Sequence, residues 1–169
     1  MSISMYSASV PVFTRLLGNA LGWLDKAEAH AKARNFDANN YLGLRLAPDM
    51  LPLSRQVQIA SDSAKSALAR LAGQEVPKWE DREATLDDLR ARIRKTMDYA
   101  ASFTPAQIDG TEKKAVSVPR RVGDPLQFEG EAFLKHYAMA NFYFHMTTLY
   151  ALLRQAGVDL GKWDYLGQL

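Results

Sequence analysis

Apolar residues recur along most of this chain at steps of three and four, the spacing that draws one face of a helix. From Val10 the stripe runs through Phe13, Leu17, Leu21, Leu24, Ala27 and Ala31. It predicts a first helix ending near Arg34, where the basic Lys32 and Arg34 suit the negative end of the helix dipole. Its start has two readings. Ser9 followed by Pro11 suits a beginning there, since proline needs no N–H in a first turn. A start near Ile3 with a kink at Pro11 is favoured, because Met5 and Tyr6 would otherwise be exposed.

Residues 35–48 read as a connection with one short helical turn after Asp37. A second helix is expected over about 50–72, with Asp49 as cap, Pro52 in its first turn and Gly73 as its stop. Its apolar line is Leu53, Val57, Ala60, Ala64, Leu68 and Leu71, so small that a neighbouring helix can approach closely. A charged loop follows over 74–84. Thr85 with Asp88 then forms a capping box for a third helix over about 86–102, whose inner face is Leu86, Leu89, Ile93, Met97 and Ala100.

Between 111 and 129 the period changes to two. Val116 and Val118, then Leu126 and Phe128, alternate with polar residues around Gly123-Asp124, which predicts a short hairpin. The last helix is expected over about 130–156 and closes on Gly157. The fold class is therefore all-α: a four-helix bundle with a short β-hairpin before the last helix. The long connections leave room for crossovers.

Composition narrows the picture. At 169 residues, 1–169 reads as a single domain. With 47% hydrophobic residues and a formal charge of only +2, the chain is not a disordered one. The absence of cysteine excludes disulfides, thiolate metal sites and a cysteine nucleophile. Residues 1–14 carry no side-chain charge and the first base, Arg15, comes after them, the reverse of a secretory signal. The uncharged stretch 136–153 falls short of the about 20 apolar residues a spanning helix needs. The expectation is a cytoplasmic protein with no membrane partner. The basic residues Arg90, Arg92, Arg94 and Lys95 read as a solvated helix face, so no nucleic-acid partner is expected.

The last helix carries the candidate chemistry. At about 100° per residue, Leu134, Ala138, Asn141, His145, Thr148 and Leu152 share a face. A polar trio, Asn141, His145 and Thr148, thus sits on an apolar stripe and needs polar partners. Arg55, Gln56, Gln58 and Asp62 of helix two are candidates. His145 has two readings: a core histidine paired with Gln56 or a carbonyl, or the polar centre of a ligand pocket. Burial without a carboxylate favours its neutral ring. His136 lies about 900° around a regular helix from His145, on the opposite side, and His30 stands among charges that suggest exposure. No phosphate loop and no G-x-S-x-G turn occurs.

Several segments together resemble a known bacterial family. They are Ser4-Met5-Tyr6 with Val10-Pro11-Val12-Phe13, then Leu46-Ala47-Pro48-Asp49-Met50-Leu51-Pro52-Leu53 with Arg55-Gln56-Val57-Gln58. Asn141-Phe142-Tyr143-Phe144-His145 and Gly161-Lys162-Trp163-Asp164-Tyr165-Leu166-Gly167 complete the set. The likeness covers nearly the whole chain and is to an uncharacterised domain-of-unknown-function family in the DinB/YfiT-like helical-bundle superfamily. It implies a DinB-type bundle, a homodimer, and in some members a divalent metal held by three histidines that activates a low-molecular-weight thiol.

Carried over by position, His145 matches the final ligand, Asn141 replaces the one before it, and Gln58, or else Gln56, stands where the helix-two histidine would be. Two of three ligands are thus missing. The leading expectation is a bundle without metal or other cofactor. Its small polar pocket, formed by Gln56, Gln58, Asn141, His145 and Thr148, takes a small molecule or supports simple acid–base chemistry. The alternatives are a divergent metal-dependent hydrolase or thiol-dependent transferase, and a non-catalytic dimeric interaction protein marked by exposed Trp23, Trp79 or Trp163.

Overall fold

The computed structural model describes residues 3–167. Residues 1, 2, 168 and 169, which the single-domain reading includes, lie outside the described residues. Four long helical segments pack in a ring: α1 (Val10–Ala33), α3 (Leu86–Ala101), α2 (Leu53–Ala72) and α6 (Met139–Gln155). Helix α2 rests mainly on α6 and α3, and α1 on α3 and α6, so sequence neighbours α1 and α2 are not a principal pair. The crossover left open by the long 34–52 connection is therefore made.

The core is the set of faces predicted from the periodicity. Phe13, Leu17 and Leu24 of α1, and Leu53, Val57, Ala60, Ala64, Leu68 and Leu71 of α2, are all fully buried. Phe13 meets Phe142 edge to face with ring centroids 4.8 Å apart. Helix α3 begins on the expected capping box: the Asp88 amide donates to Thr85 Oγ1, and the Thr85 amide donates to the Asp88 carboxylate. Gly73 ends α2 at φ 74°, the left-handed conformation glycine adopts freely.

Two helix starts differ from expectation. Helix α1 begins at Val10 with Pro11 in its first turn, not near Ile3. Met5 is nonetheless buried, because residues 4–9 fold into a turn pinned by the Tyr6 amide donating to the Asp109 carboxylate at 2.7 Å. Helix α2 begins at Leu53, and Asp49 does not cap it. A residue before proline is driven out of the helical region, so Leu51 cannot lie inside a helix that continues through Pro52.

The turn after Asp37 is a 3₁₀ segment, Ala38–Gly43, opened by the Asp37 carboxylate accepting from the Asn39 amide. Two short helices were not anticipated: α4 (Pro105–Ile108), with a box between Thr104 and Gln107, and α7 (Lys162–Leu166). The hairpin pairs β1 (Ala115–Val118) with β2 (Leu126–Glu129), Val116 opposite Phe128 and Val118 opposite Leu126. Its exit is constrained: a Cβ on Gly130 would lie 2.0 Å from the Thr111 carbonyl oxygen, so only glycine fits there.

The final helical run is not regular. A single turn, α5 (Gly130–Ala132), leads into a π-helical stretch, Phe133–Ala138, before α6 resumes α-helical pairing. The run was expected to be one even helix. Leu134 and Ala138 still face the core, whereas His136 is exposed.

Candidate functional site

Helices α2 and α6 meet along a seam that is partly polar. On α2, positions 56, 59, 63, 66 and 70 fall at steps of three and four and so share one face. On the other side stand Tyr137, Asn141 and His145, four apart. At one end of the seam, His145 Nδ1 lies 2.7 Å from Gln56 Oε1 in a buried hydrogen bond. Gln56 Nε2 donates to the Leu51 carbonyl at 2.8 Å, which fixes the orientation of the amide. Its oxygen can only accept, so His145 must carry its proton on Nδ1. The second ring nitrogen, Nε2, keeps its lone pair and has no hydrogen-bond partner among the described residues, yet it is not sealed from solvent. Burial pushes the His145 pKa below its ordinary value, so the ring is neutral near pH 7. Phe144 stands edge-on to it and is itself 56% exposed.

The other expected site residues are dispersed. Asn141 is half-buried and its amide donates to the Tyr137 carbonyl at 2.8 Å, within its own helix. It also borders a cleft of about 200 Å³ between α2 and the π-helical stretch. Thr148 is buried and donates to the Phe144 carbonyl at 2.7 Å, again one turn back. Gln58 does not join the trio. It lies about 200° around α2 from Gln56, where it accepts from Arg55 at 2.7 Å and donates to Glu83 at 2.7 Å.

Gln58 belongs to a second polar system, on the α3 side of α2. Arg92, with only 3% of its side chain exposed, reaches Asp62 at 3.0 Å, Asp81 at 3.3 Å and Glu83 at 3.0 Å. Lys65, also buried, reaches Asp62 at 2.7 Å. Residues 74–84 cross this seam. They carry Trp79, whose ring centroid lies 4.5 Å from both the Lys65 and Lys95 ammonium groups. Arg90 makes the corresponding contact toward α1, with Asp25, Glu28 and Asp87. Burial opposes the Arg90 charge, but the hydrogen bonds it donates to Asp87 and Glu28 outweigh it and raise its pKa. Arg90 and Arg92 are thus not part of a solvated face, as the charge run suggested. The available signal was the spacing: residues two apart on a helix point about 200° apart and cannot share one exposed face.

The implied metal does not fit this donor set. His145 Nδ1 is engaged by Gln56, and the two neighbouring positions offer amides, which are poor transition-metal ligands. Among the described residues no group of three or more His, Cys, Asp or Glu could hold a metal ion. His30 is half-buried rather than exposed, with Nδ1 2.5 Å from the Tyr41 hydroxyl and its other ring edge against Gly157, just past the end of α6. Of the three tryptophans, Trp23 is buried and donates to the Asp164 carbonyl, whereas Trp163 is 71% exposed. No helix among the described residues is long and apolar enough to cross a membrane.

Comparison with known proteins agrees with this architecture. The family model described as "Domain of unknown function (DUF1993)" matches residues 5–166. A crystal structure of a DinB family member protein from Shewanella denitrificans matches with a TM-score of 0.87 and 40% identity, over 97% of this chain and 92% of that one. No curated protein matches the chain significantly.

Proposed function

The chain belongs to the DUF1993 family, within a DinB-like fold, and from that premise we propose that it is a metal-free, single-domain protein that binds a small polar molecule in the α2–α6 seam. Gln56, Asn141 and His145 form the centre of the site, with Thr148 one turn further along the same helix face. Gln58 is left out because both ends of its amide are engaged elsewhere. The observation that carries the reading is the locked tautomer of His145: Nδ1–H is held by Gln56, so a neutral ring offers the Nε2 lone pair as an acceptor. A ligand N–H or O–H is the group it would receive.

Two measurements test this. Nitrogen shifts of the His145 ring should report the Nδ1–H tautomer at pH 7, and titration with a neutral amide such as benzamide should move the Nε2 shift saturably. Elemental analysis of protein purified without chelator or histidine tag should find no stoichiometric transition metal. A metal lost on His145→Ala, or no saturable Nε2 response, overturns the reading.

One observation favours a second role, self-association as a homodimer. Trp163 stands exposed beside a groove lined by Gly18, Gly22 and Trp23, so a bulky side chain and a recess occupy one patch, as a self-complementary two-fold contact requires. Light scattering at micromolar concentration should give a dimer that Trp163→Ala weakens; a monomer refutes it.

A further inference from the structure

Arg90 and Arg92 are buried and Arg55 and Arg70 half-buried, and of these four only Arg70 lacks a counter-charge among the described residues. Arg90 and Arg92 each contact three carboxylates. Arg70, half-buried near the C-terminal end of α2, forms no salt bridge among the described residues. Its one hydrogen bond is a long one, 3.5 Å to the Ser66 carbonyl within its own helix. Burial pulls its guanidinium below the ordinary value, the reverse of Arg90. An arginine stays charged under such a shift. It therefore keeps most of its five N–H donors unanswered by protein and open to solvent or a ligand on the cleft side.

Arg70 opens onto the 200 Å³ cleft that Asn141 borders. The Ser63 hydroxyl lines the same wall and donates to no protein group among the described residues. Asn141 commits one amide hydrogen to Tyr137, which leaves the other free. Ile59, Val118 and Phe133 supply an apolar wall opposite. One carboxylate, Asp62, also reaches the rim, but Lys65 and Arg92 neutralise it at 2.7 and 3.0 Å. The cleft floor is the π-helical stretch, a local widening that recurs at ligand sites. A volume below the roughly 300–1,000 Å³ of drug-sized pockets suits a ligand of few atoms.

We propose that this cleft holds the oxyanion of a small organic acid, anchored by Arg70 and seated by Ser63 and Asn141, with the acid's apolar body against Ile59, Val118 and Phe133. The inference rests on the reading of the α2–α6 seam as a small-molecule site and names the class of molecule. Anion recognition is what a fixed guanidinium fork provides and a neutral seam does not.

The test compares benzoate, its neutral counterpart benzamide and inorganic phosphate on the full chain. The readouts are the Asn141 side-chain amide and Arg70 Nε–H signals in proton–nitrogen correlation spectra. Benzoate should shift both saturably and bind about ten-fold or more tightly than either other probe. Arg70→Gln should weaken benzoate by about the same factor while leaving benzamide binding and the melting temperature near those of the parent, and Arg70→Lys should retain part of the affinity. Benzoate binding that survives Arg70→Gln overturns the anchor. Phosphate binding as tight as benzoate overturns the organic-acid class. Benzamide binding without benzoate binding defeats the anion inference alone, whereas no response to either defeats the seam reading itself.

Discussion

Helix α2 has two polar edges built on opposite plans. Toward α3 it presents Gln58, Asp62 and Lys65 to Arg92 and to the 74–84 segment, where each buried cation meets carboxylates and Trp79 covers the join. Toward α6 it presents Gln56, Ser63, Ser66 and Arg70, where one neutral hydrogen bond to His145 closes one end and a cation without a counter-ion occupies the other. Both edges withdraw polar groups from water, so both bear a desolvation cost. The α3 edge recovers most of it internally, with only Arg92 Nε left as a buried donor without a partner there. Polar groups completed by their own chain serve cohesion, while polar groups left incomplete on a rigid frame are where an external molecule adds most.

The largest expected effect tests the α3 edge. Arg92→Ala leaves Asp62, Asp81 and Glu83 without their shared cation and should lower unfolding stability by about 3 kcal/mol in urea titration, the lower end for broken buried pairs because Asp62 and Asp81 are partly exposed. A loss within experimental scatter would erase the contrast between the edges. Next comes His145→Ala, which leaves Gln56 Oε1 unpaired in the interior and should cost about 1–3 kcal/mol. If His145→Ala exceeded Arg92→Ala, the α6 edge rather than the α3 edge would be the structural one.

The pH response is smaller and has a definite sign. Burial depresses the folded His145 pKa, so the unfolded ring, near 6.5, takes up a proton first as pH falls. The unfolded state then binds more protons, and stability declines below about pH 6.5 until the folded ring also titrates. Urea midpoints at pH 7.5 should therefore exceed those at pH 5.5, and His145→Ala should flatten the difference. Smallest of all is Arg70→Met. With no carboxylate stranded by the change, stability should stay within about 0.5 kcal/mol of the parent or rise slightly, in calorimetry as in urea.

How much of this was legible beforehand depended on the kind of signal. Apolar stripes and stop signals located α2 and α3 to within a few residues, and the Thr85/Asp88 box and Gly73 stand where their spacing put them. The Val116/Phe128 hairpin was readable from alternation alone. Burial of Arg90 and Arg92 was signalled only by their two-residue spacing, because a hydrophobicity pattern treats every charge as outward and most of their carboxylates come from α1, α2 and the 74–84 segment. The Gln56–His145 contact was among the open possibilities. The separation of Gln56 from Gln58 follows from their two-residue spacing, about 200° around a helix. Nothing in Phe133–Ala138 announces π pairing, since it contains neither proline nor glycine.

That stretch has a bearing on how the family could change length. Pairing from i to i+5 takes in one more residue per turn than pairing from i to i+4, so the widened turn works as a vernier between two fixed scales. One scale is the hairpin exit, set by Gly130 against Thr111; the other is α6, set by His145 against Gln56. Deleting one residue within 133–138 would restore an unbroken α-helix and leave the two scales facing as they do, because the widened turn already absorbs the extra residue, whereas a deletion in the α-helical part of α6 would rotate them by about 100° against each other. Homologues lacking the extra residue can therefore keep both the hairpin exit and the histidine in place. An insertion or deletion at this point redraws the cleft without touching the rest of the bundle.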